Sequence, residues 1–237
     1  MMKKMTLLAL LLAIAVAASV IGRADAALTL TIDDGLGNSL SLADNGVAVT
    51  AGTVSGTGDN FGAIDGVLQF TGTVGAYDVV TQTAVSSSPS PFLNLVYSVR
   101  TLGPASGTLS IQLTDTDFVS GIGNFTFRSD VNNSSQGGTF TAMQMLDADN
   151  VAFGGVPEFT ADHGAVLVNQ SEAIVLGVAL TGPFSLTEAI TITHTGPGTT
   201  SGDITSTVST VVPTPAALPA GLALMGLVAV HRRRRKA

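Results

Sequence analysis

At 237 residues the chain can hold one sizeable domain between two short terminal segments. It contains no cysteine, which excludes disulfides, thiolate metal sites and thiol catalysis. The formal charge of −7 hides an asymmetry: only Arg100 and Arg128 lie between Ala27 and Val212, against sixteen acidic residues, so this body stands near −14 and would be repelled by nucleic acid.

The N-terminus has the three-part layout of a secretory signal. Lys3 and Lys4 give the positive region, Thr6 to Ile21 the apolar run, and Ala24-Asp25-Ala26 the small residues that a signal peptidase reads. Cleavage is expected after Ala26, so that residues 1–26 are a signal peptide handled by the Sec machinery. An uncleaved N-terminal anchor is the alternative.

From Ala27 onward Thr, Val, Gly and Ser dominate and Lys and Glu are scarce, which favours strands joined by turns over surface helices. Alternation of period two recurs along the chain. Leu28 to Ile32 alternates and stops at Asp33-Asp34-Gly35. Ser39 to Leu42 and Val47 to Val49 bracket Asp44-Asn45-Gly46, a hairpin signal. Thr50 to Gly62 reads as a long loop. Val67 to Phe70 and Ala76 to Val80 are the next strands, followed by a connector over Ser86 to Pro91.

Strands are then expected over Leu93 to Val99 and Thr108 to Leu113. Asn124 to Arg128 and Gly138 to Met143 flank Asn132-Asn133-Ser134-Ser135, which looks like a hairpin turn. Ala173 to Leu180 is almost continuously apolar, as in a central strand covered on both faces. Ala189 to His194 and Asp203 to Val208 flank a turn at Gly196-Pro197-Gly198. Ten to twelve short strands without a helical stripe predict an all-β fold: a single antiparallel β-sandwich, jelly-roll-like or immunoglobulin-like, over residues 27–208. A signal helix and a short C-terminal transmembrane helix are expected to flank it.

Candidate chemistry within the body is sparse. His163 lies in Ala161-Asp162-His163-Gly164, read as a turn, and His194 at a strand end; no Gly-x-Ser-x-Gly elbow accompanies them. Glu158, Glu172 and Glu188 are the glutamates, and nothing in the sequence singles one out as half of a glycosidase pair. Asp147-Ala148-Asp149 with Glu158 touches positions 1, 3 and 12 of a calcium loop, but Val151 and Ala152 occupy positions 5 and 6, so the pattern fails. Asp147, Asp149, Asp33 and Asp34 stay as weak calcium candidates, with Asp115-Thr116-Asp117 a further acidic turn. No other cofactor is expected. With no Trp and only Tyr77 and Tyr97, the chain lacks the rings from which a sugar-binding platform is usually built. The Asn-x-Ser/Thr matches at Asn124, Asn132, Asn133 and Asn169 read as chance in a Ser/Thr-rich chain.

The last segment, residues 209–237, carries the most specific pattern. After a Ser/Thr stalk come Val212-Pro213-Thr214-Pro215, an apolar run from Ala216 to Val230, His231, Arg232-Arg233-Arg234-Arg235 and Lys236. The run is about 22 Å long as a helix, short of the ~30 Å hydrocarbon core. Its basic end should stay cytoplasmic, as should Lys3 and Lys4. The precursor would then be strung across the inner membrane with its β-domain outside.

This tail resembles the PEP-CTERM sorting signal of Gram-negative bacteria that make exopolysaccharide. The family's namesake triplet is Pro-Glu-Pro, whereas Thr214 stands between the prolines here, in the Val-Pro-x-Pro-Ala-Ala form also found in the family. The resemblance implies recognition by an exosortase, a membrane enzyme that removes the tail and passes the protein to the cell surface or biofilm matrix. The expected function is therefore that of a secreted, non-enzymatic matrix or surface protein, structural or adhesive, with extracellular polysaccharide a candidate partner. The alternatives are a secreted carbohydrate-active hydrolase or carbohydrate-binding module delivered by the same signals, and a tail retained as a permanent anchor.

Overall fold

A computed structural model describes residues 28–210, apart from 45, 60–63, 87–90, 102, 104–106, 120–122, 154–158 and 167–169. The expected signal peptide and the sorting residues Ala24, Ala26, Pro213, Thr214, Pro215 and Arg232 to Arg235 lie outside the described residues, as do Glu158 and the Ser87 to Ser90 connector. The described chain is all-β and antiparallel, with twelve strands.

Their order follows from two meanders and two long strands. β1 (Thr29–Asp33), β2 (Ser39–Ala43) and β3 (Val49–Ala51) form one meander. β4 (Val54–Thr57), β5 (Gln69–Val74), β6 (Tyr77–Ser86) and β7 (Phe92–Thr101) form the other. β8 (Gly107–Phe118) pairs with β1. β9 (Gly123–Asp147) is followed by β10 (Phe159–Val166) and β11 (Gln170–Leu180), both paired to it, and then by β12 (Phe184–Thr210).

β9 and β12 pair with each other along almost their whole length and belong to both layers of the fold. In one layer the order is β3-β2-β1-β8, then the first half of β12, the second half of β9, and β10. In the other it is β4-β5-β6-β7, then the second half of β12, the first half of β9, and β11. The layers face each other as a sandwich. The Tyr97 ring of β7 stacks across the gap on Phe140 of β9, with centroids 5.6 Å apart and planes 9° from parallel, a pairing worth about 0.5–1.5 kcal/mol beyond its buried area.

The crossover between layers explains two departures from the expected elements. Asn132 to Ser135 is not a turn: β9 runs straight through it. Asn133 and Ser135 point inward and are held there, Asn133 Oδ1 by the Tyr97 hydroxyl at 3.3 Å and Ser135 Oγ by Thr200 Oγ1 at 2.8 Å. Buried positions of β9 are odd-numbered from Phe125 to Ser135 and even-numbered from Phe140 to Leu146. The phase changes over Gln136-Gly137-Gly138, where Gly137 adopts φ +83°, a conformation open to glycine at little cost. Likewise Gly196-Pro197-Gly198 does not end a strand. It is a bulge within β12, between His194 paired to Gly138 and Thr199 paired to Gln136, and lets the strand pass from one layer to the other.

Three further expectations are corrected. The loop expected over Thr50 to Gly62 contains β4, paired to β5. Ala173 to Leu180 is not a central strand: β11 pairs only with β9 among the described strands, and Val175 is 56% exposed. Its apolar run therefore reflects an edge strand whose outer face is itself apolar. Ala161 to Gly164 is part of β10, with a bulge between Asp162 and Gly164 rather than a turn. The remaining predicted strands and the β2–β3 hairpin occur close to where alternation places them.

Candidate functional site

The polar groups inside the sandwich come from positions that share the phase of apolar neighbours. Glu188 follows Leu186 and precedes Ile190 on the inward side of β12; Gln144 falls between Ala142 and Leu146 on β9. These two are direct cross-strand partners in one layer, and Ser129 and Ser206 are direct partners in the other. The two pairs meet across the gap. Gln144 Nε2 donates to Ser206 Oγ at 2.9 Å and to Glu188 Oε1 at 3.2 Å, while Ser206 Oγ donates to Glu188 Oε1 at 3.0 Å. Ser129 Oγ donates to Gln144 Oε1. His163, on the β10 bulge, places Nε2 2.6 Å from Ser129 Oγ.

The proton count gives the His163–Ser129 contact a direction. The amide of Gln144 spends its N–H groups on Ser206 and Glu188, so its oxygen faces Ser129 and takes the only hydroxyl proton there. Nε2 of His163 must then donate to Ser129 Oγ. A nucleophilic serine needs the reverse, with its proton passing to the histidine. Ser129 is also fully buried.

Glu188 is 0% exposed, and its Oε2 has no hydrogen-bond partner. Burial pushes its carboxyl well above the ordinary value, against the opposing hydrogen bonds from Ser206 and Gln144. The physical cause is the cost of an ionised carboxylate away from water. Burial thus favours the protonated form of this carboxyl, which sits in a seam that ties the layers together.

A second seam is built on His194. Its Nδ1 is bonded to Thr101 Oγ1 of β7, and its Nε2 lies 2.8 Å from Thr200 Oγ1. Both ring nitrogens are thus engaged by hydroxyls of the opposite layer, and burial lowers the imidazole pKa. Gly138 lies directly opposite on β9: a Cβ there would stand 2.3 Å from His194 Cδ2. The sequence places His194 and Gly138 in separate strands, and only the register joins them.

The acidic candidates do not converge on a common point. Asp33 and Asp34 are consecutive in and beside β1 and face different clefts, Asp33 one of about 580 Å³ and Asp34 one of about 370 Å³. Asp33 Oδ1 accepts the Gly35 N–H at 2.6 Å. Asp34 accepts from Leu36 N at 2.8 Å, Asn38 N at 3.1 Å and Asn38 Nδ2 at 2.6 Å. Burial raises the Asp34 carboxyl, but these hydrogen bonds together outweigh it and hold the group below its usual value. Asp147 is buried and caps its own turn, Oδ1 accepting the Asp149 N–H at 2.8 Å. Asp115 is pushed up to about 7 by burial, opposed by the Thr116 N–H and reinforced by Asp117 and Asp44. Among the described residues no three His, Asp or Glu side chains form a metal-binding group.

The two tyrosines do not make an exposed strip, since both are buried. Both body arginines are paired on the surface, Arg100 with Asp78 at 3.0 Å and Arg128 with Asp130 at 2.5 Å.

No known family matches the chain, and no curated protein does. Among solved structures, the enzymatically active domain of bacteriophage CBA120 tailspike protein 4 is 10% identical with a TM-score of 0.29, over 55% of this chain and 19% of that one. The VP2 subviral particle of infectious bursal disease virus is 13% identical with a TM-score of 0.27, over 78% of this chain and 53% of that one. A carbohydrate-binding module of the β-sandwich superfamily is 14% identical with a TM-score of 0.23, over 78% and 85%. The structural agreement is slight in each case, and none carries a functional argument.

Proposed function

We propose that the protein is a secreted surface or extracellular-matrix component with a structural or adhesive role, exported by an N-terminal signal peptide and processed at its C-terminal tail by an exosortase-type enzyme. The observation behind this reading is the distribution of charge. Seven of the ten basic residues lie in Lys3-Lys4 and Arg232 to Lys236, and the two arginines of the sandwich are each matched by an aspartate. What remains is a polyanionic β-domain between two cationic ends, the arrangement that positive-inside topology requires of a precursor held across the inner membrane. A domain of one sign resists collapse onto its own kind and takes up cations, which suits a hydrated extracellular polymer.

The test is to express a tagged chain in a Gram-negative host with and without its exosortase, and to measure the intact mass of the surface fraction. Loss of the segment from the Pro213-Thr214-Pro215 region onward is expected, and Arg232 to Arg235 replaced by glutamine should leave the precursor in the membrane. Surface protein that still carries Arg232 to Ala237 would overturn the processing step.

A further inference from the structure

The cleft above Asp34 carries an unused hydrogen-bonding group. Tyr77, at the start of β6, is 2% exposed, and its hydroxyl has no hydrogen-bond partner. It lines the cleft of about 370 Å³ together with Asp34, Asn38, Thr53 and Gly107, while Leu36, 78% exposed, stands at the rim. Leaving a buried hydroxyl unpaired costs about 1–3 kcal/mol, so its placement in the cleft needs an explanation that packing does not give.

Two glycines keep the space open. A Cβ at Gly75 would fall 2.1 Å from Asp34 Oδ2, and one at Gly107 would fall 2.8 Å from the Tyr77 hydroxyl. The Asn38 side chain is already committed, its Nδ2 to Asp34 at 2.6 Å and its Oδ1 to the Thr53 N–H at 2.6 Å. Two unlike functions line the cleft, a carboxylate that accepts and a phenol whose O–H has no partner. A hydroxyl group answers both, because it donates and accepts at once. A metal cation would use Asp34 but not the phenolic proton.

The geometry points to this cleft as a binding subsite for a neutral saccharide, one hydroxyl of which bridges Asp34 and Tyr77 while a C–H face of the ring rests on Leu36. The inference depends on the cleft and not on the route of export, so it stands or falls separately from the sorting experiment.

The test uses the full-length chain in detergent, titrated calorimetrically with glucose, mannose, galactose and, in separate runs, calcium chloride. Saturable binding of at least one sugar is expected. Tyr77→Phe should weaken it roughly tenfold, the worth of one hydrogen bond. Because that variant removes only an unpaired hydroxyl, its melting temperature should stay level or rise, which separates lost binding from lost structure. Gly107→Ala should block the cleft from the other side. Sugar binding that Tyr77→Phe leaves unchanged would overturn the subsite, as would absence of binding by all three sugars or binding of calcium alone.

Discussion

Replacing Glu188 with glutamine gives a direct measure of the seam between the layers. In an unfolded chain this carboxyl titrates near 4.5, whereas in the fold burial raises it well above that, the Ser206 and Gln144 hydrogen bonds opposing. The folded state therefore keeps a proton that the unfolded state has released. The stability tied to that proton is fully present below the unfolded value. It drains by about 1.4 kcal/mol per pH unit as pH rises, until the folded carboxyl itself ionises. Glutamine has no such proton to lose. It retains an oxygen for the bonds to Ser206 and Gln144, but places an N–H₂ where Glu188 Oε2 has no partner, at a cost of about 1 kcal/mol. The variant should thus be slightly less stable than the wild type in acid and more stable at neutral pH, the two lines crossing between. Urea unfolding followed by far-UV circular dichroism, between about pH 4 and pH 8, reads this difference directly. Subtracting one protein from the other cancels every other carboxyl, Asp115 included. A difference that did not change with pH would refute the reasoning, because it would mean that Glu188 titrates alike in both states.

Asp115→Asn should show the same sign. The Asp115 carboxyl moves from 3.8 to about 7 on folding, so the variant should gain about 1.4 kcal/mol per pH unit between those limits and nothing above them, in the same urea series. Gly138→Ala drives a methyl group to 2.3 Å from the His194 ring and 2.5 Å from the Thr193 carbonyl. It should cost about 1–3 kcal/mol and lower the melting temperature by roughly 2–4 °C for each of those; an unchanged melting curve would show that the corner is looser than its register implies. Val175→Lys, on the exposed face of edge strand β11, should change stability by less than about 0.5 kcal/mol. It should also reduce light scattering in concentrated solution, since a charge on an apolar edge discourages strand pairing between copies.

The sequence was most informative where one face of a strand is wet. β1, β2 and β7 alternate cleanly, and their limits lie close to those that alternation gives, whereas β8 continues to Phe118 through a run of buried residues, five positions beyond the expected end at Leu113. It misled where a strand crosses between layers. Asn132 to Ser135 and Gly196 to Gly198 have turn composition, but both lie inside long strands: the inward Asn133 and Ser135 find partners on neighbouring strands of their own layer, and the Gly-Pro-Gly segment forms the bulge at which β12 changes layer. Turn propensity is a local quantity, and those partners are about 36 and 65 residues away in sequence. The apolar run of β11 was misread for a related reason: continuous apolarity reports two dry faces only if other elements cover both.

The interior seams were partly legible. Glu188, Gln144, Ser129 and Ser206 each interrupt an inward apolar series, and a polar residue in phase with buried apolar neighbours is a signal that alternation alone exposes. What alternation cannot give is the pairing of Glu188 with Gln144, or of His194 with Gly138, because register is set by the whole sheet. The Tyr77 cleft was further from reach. It joins the β1–β2 connection, the β5–β6 turn and the start of β8, and its distinguishing mark is a missing partner, which no sequence shows.

The passage of β12 through both layers has a mechanical consequence. The chain leaves this strand at Thr210 toward its tail, so a pull on the tail is delivered along β12, not onto an edge strand. Over its second half β12 is hydrogen-bonded on both sides, to β7 and to β9. Load along such a strand shears many bonds at once, since the ladder bonds lie across the direction of pull. A domain tethered through this end, whether during export or within a polymer, would be loaded at its best-clamped strand, and the edge strands β3, β4, β10 and β11 would be spared.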